Sequence, residues 1–140
     1  MQIVIFDRQS IFVHGMDISL KEHIPGVNIA IVDQADNLWR VLLQHPDALL
    51  ILDGGMEPDF CQWLLQEKYQ QFPESKNMVI VSHKVEWINE TAAFNVHALV
   101  PRDTSIERFV HTIKSVMHGV VCLPNDWRQT YEDEILPDLH

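Results

Sequence analysis

Five short, almost wholly apolar runs constrain this chain more than any other feature. QIVIF (Gln2–Phe6), VNIAIV (Val27–Val32), ALLIL (Ala48–Leu52), NMVIVS (Asn77–Ser82) and HALV (His97–Val100) are too brief for helices and lack the strict alternation of a strand with one wet face. Strands that are apolar along most of their length are covered on both faces, which is the condition of a parallel sheet. Between the runs, apolar residues fall at helical spacing. Phe12, Met16 and Leu20 precede a stop at Ile24-Pro25-Gly26, and Leu38, Val41 and Leu42 mark a short helix ending near His45 and Pro46. Phe60, Trp63 and Leu64 open a helix that Pro73 forces to end by Phe72. A weaker helix is expected from about Glu86 to Phe94.

The last long helix is the most secure element. Thr104-Ser105-Ile106-Glu107 reads as a capping box, the Thr hydroxyl and Glu carboxylate covering free amides at the helix start. Ile106, Phe109, Val110, Ile113, Val116 and Met117 then share one face, and Gly119 ends the helix. Strands alternating with helices in 140 residues predict one α/β domain with a doubly wound, five-stranded parallel sheet of the flavodoxin-like kind. Farther on, Trp127, Tyr131 and Ile135 form a stripe on an extra C-terminal helix, started by Asn125 and stopped by Pro137.

Charge removes a class of function. With 20 acidic and 10 basic residues the chain carries a formal charge of -10, so it repels a nucleic-acid duplex, whose non-specific affinity depends on Lys and Arg. No apolar run is long enough to span a bilayer, and no export signal opens the sequence. Cys61 and Cys122 lie far apart without C-x-x-C spacing, and read as buried, reduced thiols of a cytoplasmic protein.

In a doubly wound sheet, sites gather at the carboxyl ends of the strands. That rule selects Asp7, Asp53, Ser82 and Arg102, one from each of four strands. A nucleotide or flavin site would need a Gly-rich loop after the first strand. The loop here is DRQSIF, and Gly54-Gly55 offers at most a small anion nest. Aspartyl phosphatase chemistry would need a second carboxylate two residues past the nucleophile, where Gln9 stands if Asp7 is that nucleophile. His14, His23, His45, His83, His97, His111, His118 and His140 are scattered, with no metal-ligand spacing. No enzymatic turnover and no resident cofactor are expected.

From Gln2 to about Leu123 the chain resembles the receiver domain of bacterial two-component response regulators, in the NarL/FixJ, LuxR-type branch that usually carries a C-terminal helix-turn-helix domain. IVIFDRQSIFVHGM resembles the first strand and helix, QHPDALLILDGGM the third strand, VIVSH the fourth, and ALVPRDTSIERFVHTIKSVMHG the fifth strand and last helix. The resemblance implies a CheY-like (βα)5 fold over residues 1–123, with residues 124–140 as a linker helix towards an output domain that is absent here. It puts Asp53 at the phosphoacceptor position. Ser82, Arg102 and Leu99 fall at the switch and phosphate-contact positions, and Asp7, Arg8, Gly54, Gly55 and His83 line the pocket.

The departures from the pattern concern charge. Arg8 stands where the family has a second carboxylate for Mg²⁺, leaving Asp7 and Asp53 as a weak metal pair. Arg102 replaces the usual lysine, Leu99 the usual aromatic switch, Glu57 the proline after the methionine, and His83 a small residue. Arg8 is expected either to clamp Asp53, imitating the metal-bound charge state, or to point into solvent beside a decayed site. The leading expectation is an atypical receiver, a regulatory module that forms a homodimer, with Trp87 on the interface. Two rivals stand beside it: a working receiver phosphorylated on Asp53 by a histidine kinase, and an adaptor that binds a protein or a small effector. Neither DNA nor membrane contact is expected of this domain itself.

Overall fold

The computed structural model describes residues 1–82 and 96–122, apart from the Ser10 side chain. His83, Trp87, the expected 86–94 helix and the expected 124–140 helix lie outside the described residues. The elements run β1 (Gln2–Phe6), α1 (Ser10–His23), β2 (Asn28–Val32), α2 (Ala35–Gln44), β3 (Leu49–Asp53), α3 (Pro58–Gln71), β4 (Asn77–Val81), β5 (Ala98–Pro101) and α4 (Ile106–Met117). The five strands form one parallel sheet in the order β2-β1-β3-β4-β5. This is the doubly wound, flavodoxin-like sheet that the apolar runs predict.

Strand parity divides the core. Val4, Phe6, Leu50, Leu52, Val79 and Leu99 face Leu38 and Leu42 of α2 and Cys61, Leu64 and Leu65 of α3. Their neighbours Ile3, Ile5, Leu49, Ile51, Met78, Ile80, Ala98 and Val100 face Val13, Met16 and Leu20 of α1 and Phe109, Val110, Ile113 and Val116 of α4. Each fully buried aliphatic side chain stabilises the fold by about 1.5–3 kcal/mol relative to exposure, so two such layers explain why five-residue strands suffice. Phe60, Trp63, Trp39 and Phe72 form a chain of ring contacts along the α2–α3 side, groove-filling rather than a ligand platform.

Two local expectations shift. The cap of α4 is Ser105, whose hydroxyl accepts from the Arg108 amide, not Thr104. The reason lies one turn earlier: the Thr104 amide bonds the Pro101 carbonyl, closing a turn that leaves Ser105 as the extended residue before the helix. Cys61 is buried as expected, but Cys122 is only half-buried; both are free thiols. Gly119 does terminate α4, with a φ of +89° that suits glycine.

Candidate functional site

Parallel strands end together, and β1, β3 and β5 deliver Asp7, Asp53 and Arg102 to one rim. Asp7 and Asp53 are 4% and 6% exposed. Burying two carboxylates side by side is costly unless a cation and amides hold them. The Asp7 Oδ1 accepts the Gln9 amide at 2.8 Å, and Asp53 Oδ1 accepts the Gly55 amide at 2.9 Å. The cation is Arg102. Its Nη1 donates to Asp7 Oδ2 at 3.2 Å, its Nη2 to Asp53 Oδ1 at 2.9 Å, and its Nε to the Ser82 hydroxyl at 3.2 Å. The guanidinium also lies 4.2 Å from the centroid of the Phe12 ring, and the Arg102 amide is fixed to the Val81 carbonyl. Burial pushes the Asp7 carboxyl up from its ordinary value, as does the neighbouring Asp53 charge, while the Gln9 amide and Arg102 pull it down.

Of the two expectations for Arg8 the outward one holds, and the clamp is made by Arg102 instead. Arg8 points outward, pairing with Glu57 at 3.5 Å, with the two side chains 50% and 70% exposed, and its guanidinium lies 5.6 Å from the Phe60 centroid. The long arm that does cross the rim comes from β5.

The two glycines do not form an anion nest. The Gly54 amide donates to the Ile80 carbonyl, and the Gly55 amide to the Asp53 side chain. Nor does Gly54 open the site. It is buried, and a Cβ there would come within 2.7 Å of Val79 Cγ1 and 3.0 Å of the Ile80 carbonyl oxygen. Its role is close approach of β3 to β4. Leu99 is not at the rim either, but buried in the α2–α3 core. Ser82 stands at the rim as expected.

Whether these residues suit a divalent cation can be judged from their donors. Magnesium takes six oxygens in near-ideal octahedral geometry. Arg102 bonds the carboxylates of both Asp7 and Asp53, and among the described residues no group of three His, Cys, Asp or Glu side chains is placed to hold a metal. The set does not fit a magnesium site while Arg102 sits between the acids.

Sequence reasoning missed a second polar cluster, at the amino ends of the strands. Lys68 is fully buried, its Nζ donating to the Ser75 carbonyl at 2.8 Å, while the Ser75 hydroxyl donates to the Ala48 carbonyl. His97 Nδ1 accepts the Asn77 amide at 3.1 Å. Burial brings the Lys68 amine down to about 7, and lowers His97 with help from Lys68 and Lys76. The signal was present: Lys68 follows Cys61, Leu64 and Leu65 at helical spacing, on the stripe that faces the core.

No protein-family model matches the chain. A provisionally designated HTH-type transcriptional regulator of Escherichia coli strain K12, YhjB, is 49% identical over 136 residues, spanning 96% of this chain and 68% of that protein. The isolated REC domain of RcsB from Salmonella enterica serovar Typhimurium, in the apo form, superposes with a TM-score of 0.74 at 20% identity over 99% of both chains. A two-component response regulator of the LuxR family from Aurantimonas sp. SI85-9A1 superposes with a TM-score of 0.75 at 16% identity, covering 96% of this chain and 97% of that one. At such identities the two structures establish the fold, and the relationship to YhjB establishes common descent. No helix among the described residues is long and apolar enough to cross a membrane.

Proposed function

Because the chain belongs to the LuxR/NarL-type response regulators, as their receiver domain, we propose that it is an atypical receiver whose magnesium-dependent phosphorylation on Asp53 is weakened or lost. It acts in the cytoplasm as a regulatory and dimerisation module of a transcription regulator. Contact with DNA belongs to a helix-turn-helix domain, not to this acidic one.

The observation that carries the reading is the Arg102 guanidinium bonded to both Asp7 and Asp53. A phosphoryl donor is an anion approaching a carboxylate, and transfer needs a cation that can move onto the transferred group. Here the cation is already committed to two carboxylates, to the Ser82 hydroxyl and to the Phe12 ring. Tethered to β5, it holds the pocket in one charge state without an exchangeable ion. The test is intact-mass spectrometry after incubation with acetyl phosphate and magnesium, using Asp53→Ala as the blank. Little or no added phosphoryl is expected, and stoichiometric labelling of the unmodified chain sinks the proposal.

One observation favours the rival reading. Asp53 Oδ1 takes both the Gly55 amide and Arg102, which leaves Oδ2 as the oxygen neither of them holds. A working receiver would present that oxygen to the donor. The same labelling experiment decides between the two.

A further inference from the structure

After α4 the chain doubles back along the open edge of the sheet. Gly119 makes the turn, and Cys122 pairs in parallel with Ala98. The Cys122 amide donates to the His97 carbonyl at 2.8 Å, and its carbonyl accepts the Leu99 amide at 3.3 Å. An exposed strand edge invites pairing with other chains, and this one is closed in two ways. Cys122, at the end of the 120–122 segment, covers its lower part, while Pro101 above has no N–H to offer and its carbonyl accepts the Thr104 amide.

The covering segment is lightly held. Val120 and Val121 are each 51% exposed, and Cys122 alone among the three packs against the α1–α4 core layer. Two backbone hydrogen bonds join it to β5, so the segment can part from the strand while the sheet stays intact.

The strand beneath it is held at its far end by the rim. β5 has four residues, is paired only to β4 within the sheet, and runs directly into Arg102, whose side chain is fixed by Asp7 and Asp53. Leu99, the donor to the covering segment, lies three residues before that anchor. We propose that residues 120–122 are a detachable strap on the β5 edge, and that its seating depends on the Arg102 anchor. Releasing Arg102 from the two carboxylates loosens β5, and the strap with it. Its release therefore frees the strand edge. This holds whether or not Asp53 accepts a phosphoryl group.

The test uses the full 140-residue chain and follows alkylation of Cys122 by iodoacetamide, with hydrogen exchange at the Leu99 amide alongside. Cys61 serves as the internal control, since it is fully buried and its thiol is pushed up to about 12, mainly by burial. Cys122 is expected to react under native conditions far faster than Cys61. Arg102→Ala should speed its labelling by about fivefold or more, the lower end of ordinary site-to-site coupling. Asp7→Asn, which removes one anchor with little change of shape, should give a smaller increase in the same direction and covers the case in which Arg102→Ala fails to fold. Arg8→Ala should change nothing. The proposal is overturned if Cys122 and Cys61 react together only on global unfolding, if Leu99 exchanges at the rate of a free amide, or if the folded Arg102 and Asp7 variants label Cys122 no faster than the parent.

Discussion

Arg102 reaches from the end of β5 to Asp53 at the end of β3, closing to 2.9 Å, and holds Asp7 at 3.2 Å with the other half of the same guanidinium. The pocket thus contains its own counter-ion, covalently part of the chain.

Removing that counter-ion should be costly. Arg102→Ala leaves two buried carboxylates facing each other, and breaking a buried pair in this way destabilises by about 3 kcal/mol. Urea unfolding at neutral pH measures it. The deficit should shrink as the pH falls into the carboxylate range, because protonated acids no longer need the cation. Combining Arg102→Ala with Asp7→Asn should recover part of the loss at neutral pH.

Arg8→Ala should do almost nothing to stability, within about 0.5 kcal/mol by the same measurement. Its pair with Glu57 is solvent-exposed and at 3.5 Å. Arg8→Asp alone should likewise fail to restore phosphoryl labelling, since Arg102 still occupies the acids. Labelling that improves in Arg8→Asp with Arg102 intact would show that the arginines have been given the wrong roles.

Lys68 makes stability depend on alkaline pH. Its folded-state value of about 7 lies below the ordinary 10.5, so between those values the unfolded chain holds a proton that the folded chain releases. The stabilisation is fully present above 10.5 and is lost as the pH falls to about 7, below which this group adds no further slope. Stability from urea unfolding should therefore rise from pH 7 to pH 10, against a background of other titrations that Lys68→Met reveals by subtraction. An equal rise in Lys68→Met would place its cause elsewhere.

The fold was legible because burial on both faces leaves a plain mark: QIVIF, ALLIL and NMVIV have no polar side to hide. The rim was legible for the same reason, since each such strand must end on the residue that follows its apolar run. Which arginine held the acids was not. Arg8 is adjacent in sequence to Asp7, whereas Arg102 is adjacent only through β5 and the register that sets the Arg102 amide on Val81. Gly54 suggests half of an anion nest because sequence shows two glycines in a row but not that the Gly54 amide is spent on the Ile80 carbonyl. The strap at Cys122 rests on backbone hydrogen bonds, which carry no residue-type signature.

Self-association should not need phosphorylation. A pocket fixed by Arg102 gives the domain one resting state, and a dimer then forms or fails on its surface alone. Sedimentation velocity of the untreated chain should show a dimer at micromolar concentrations, weakened by Trp87→Ala. A monomer at every concentration would remove dimerisation from the proposed role.

The most direct measurement is a calorimetric titration with magnesium of the unmodified chain beside Arg102→Ala. If Arg102 takes the place of the metal, the unmodified chain should give no saturable binding at millimolar magnesium, and Arg102→Ala should gain binding that Asp7→Asn abolishes. Sub-millimolar binding by the unmodified chain, lost in Asp53→Ala, would contradict the account.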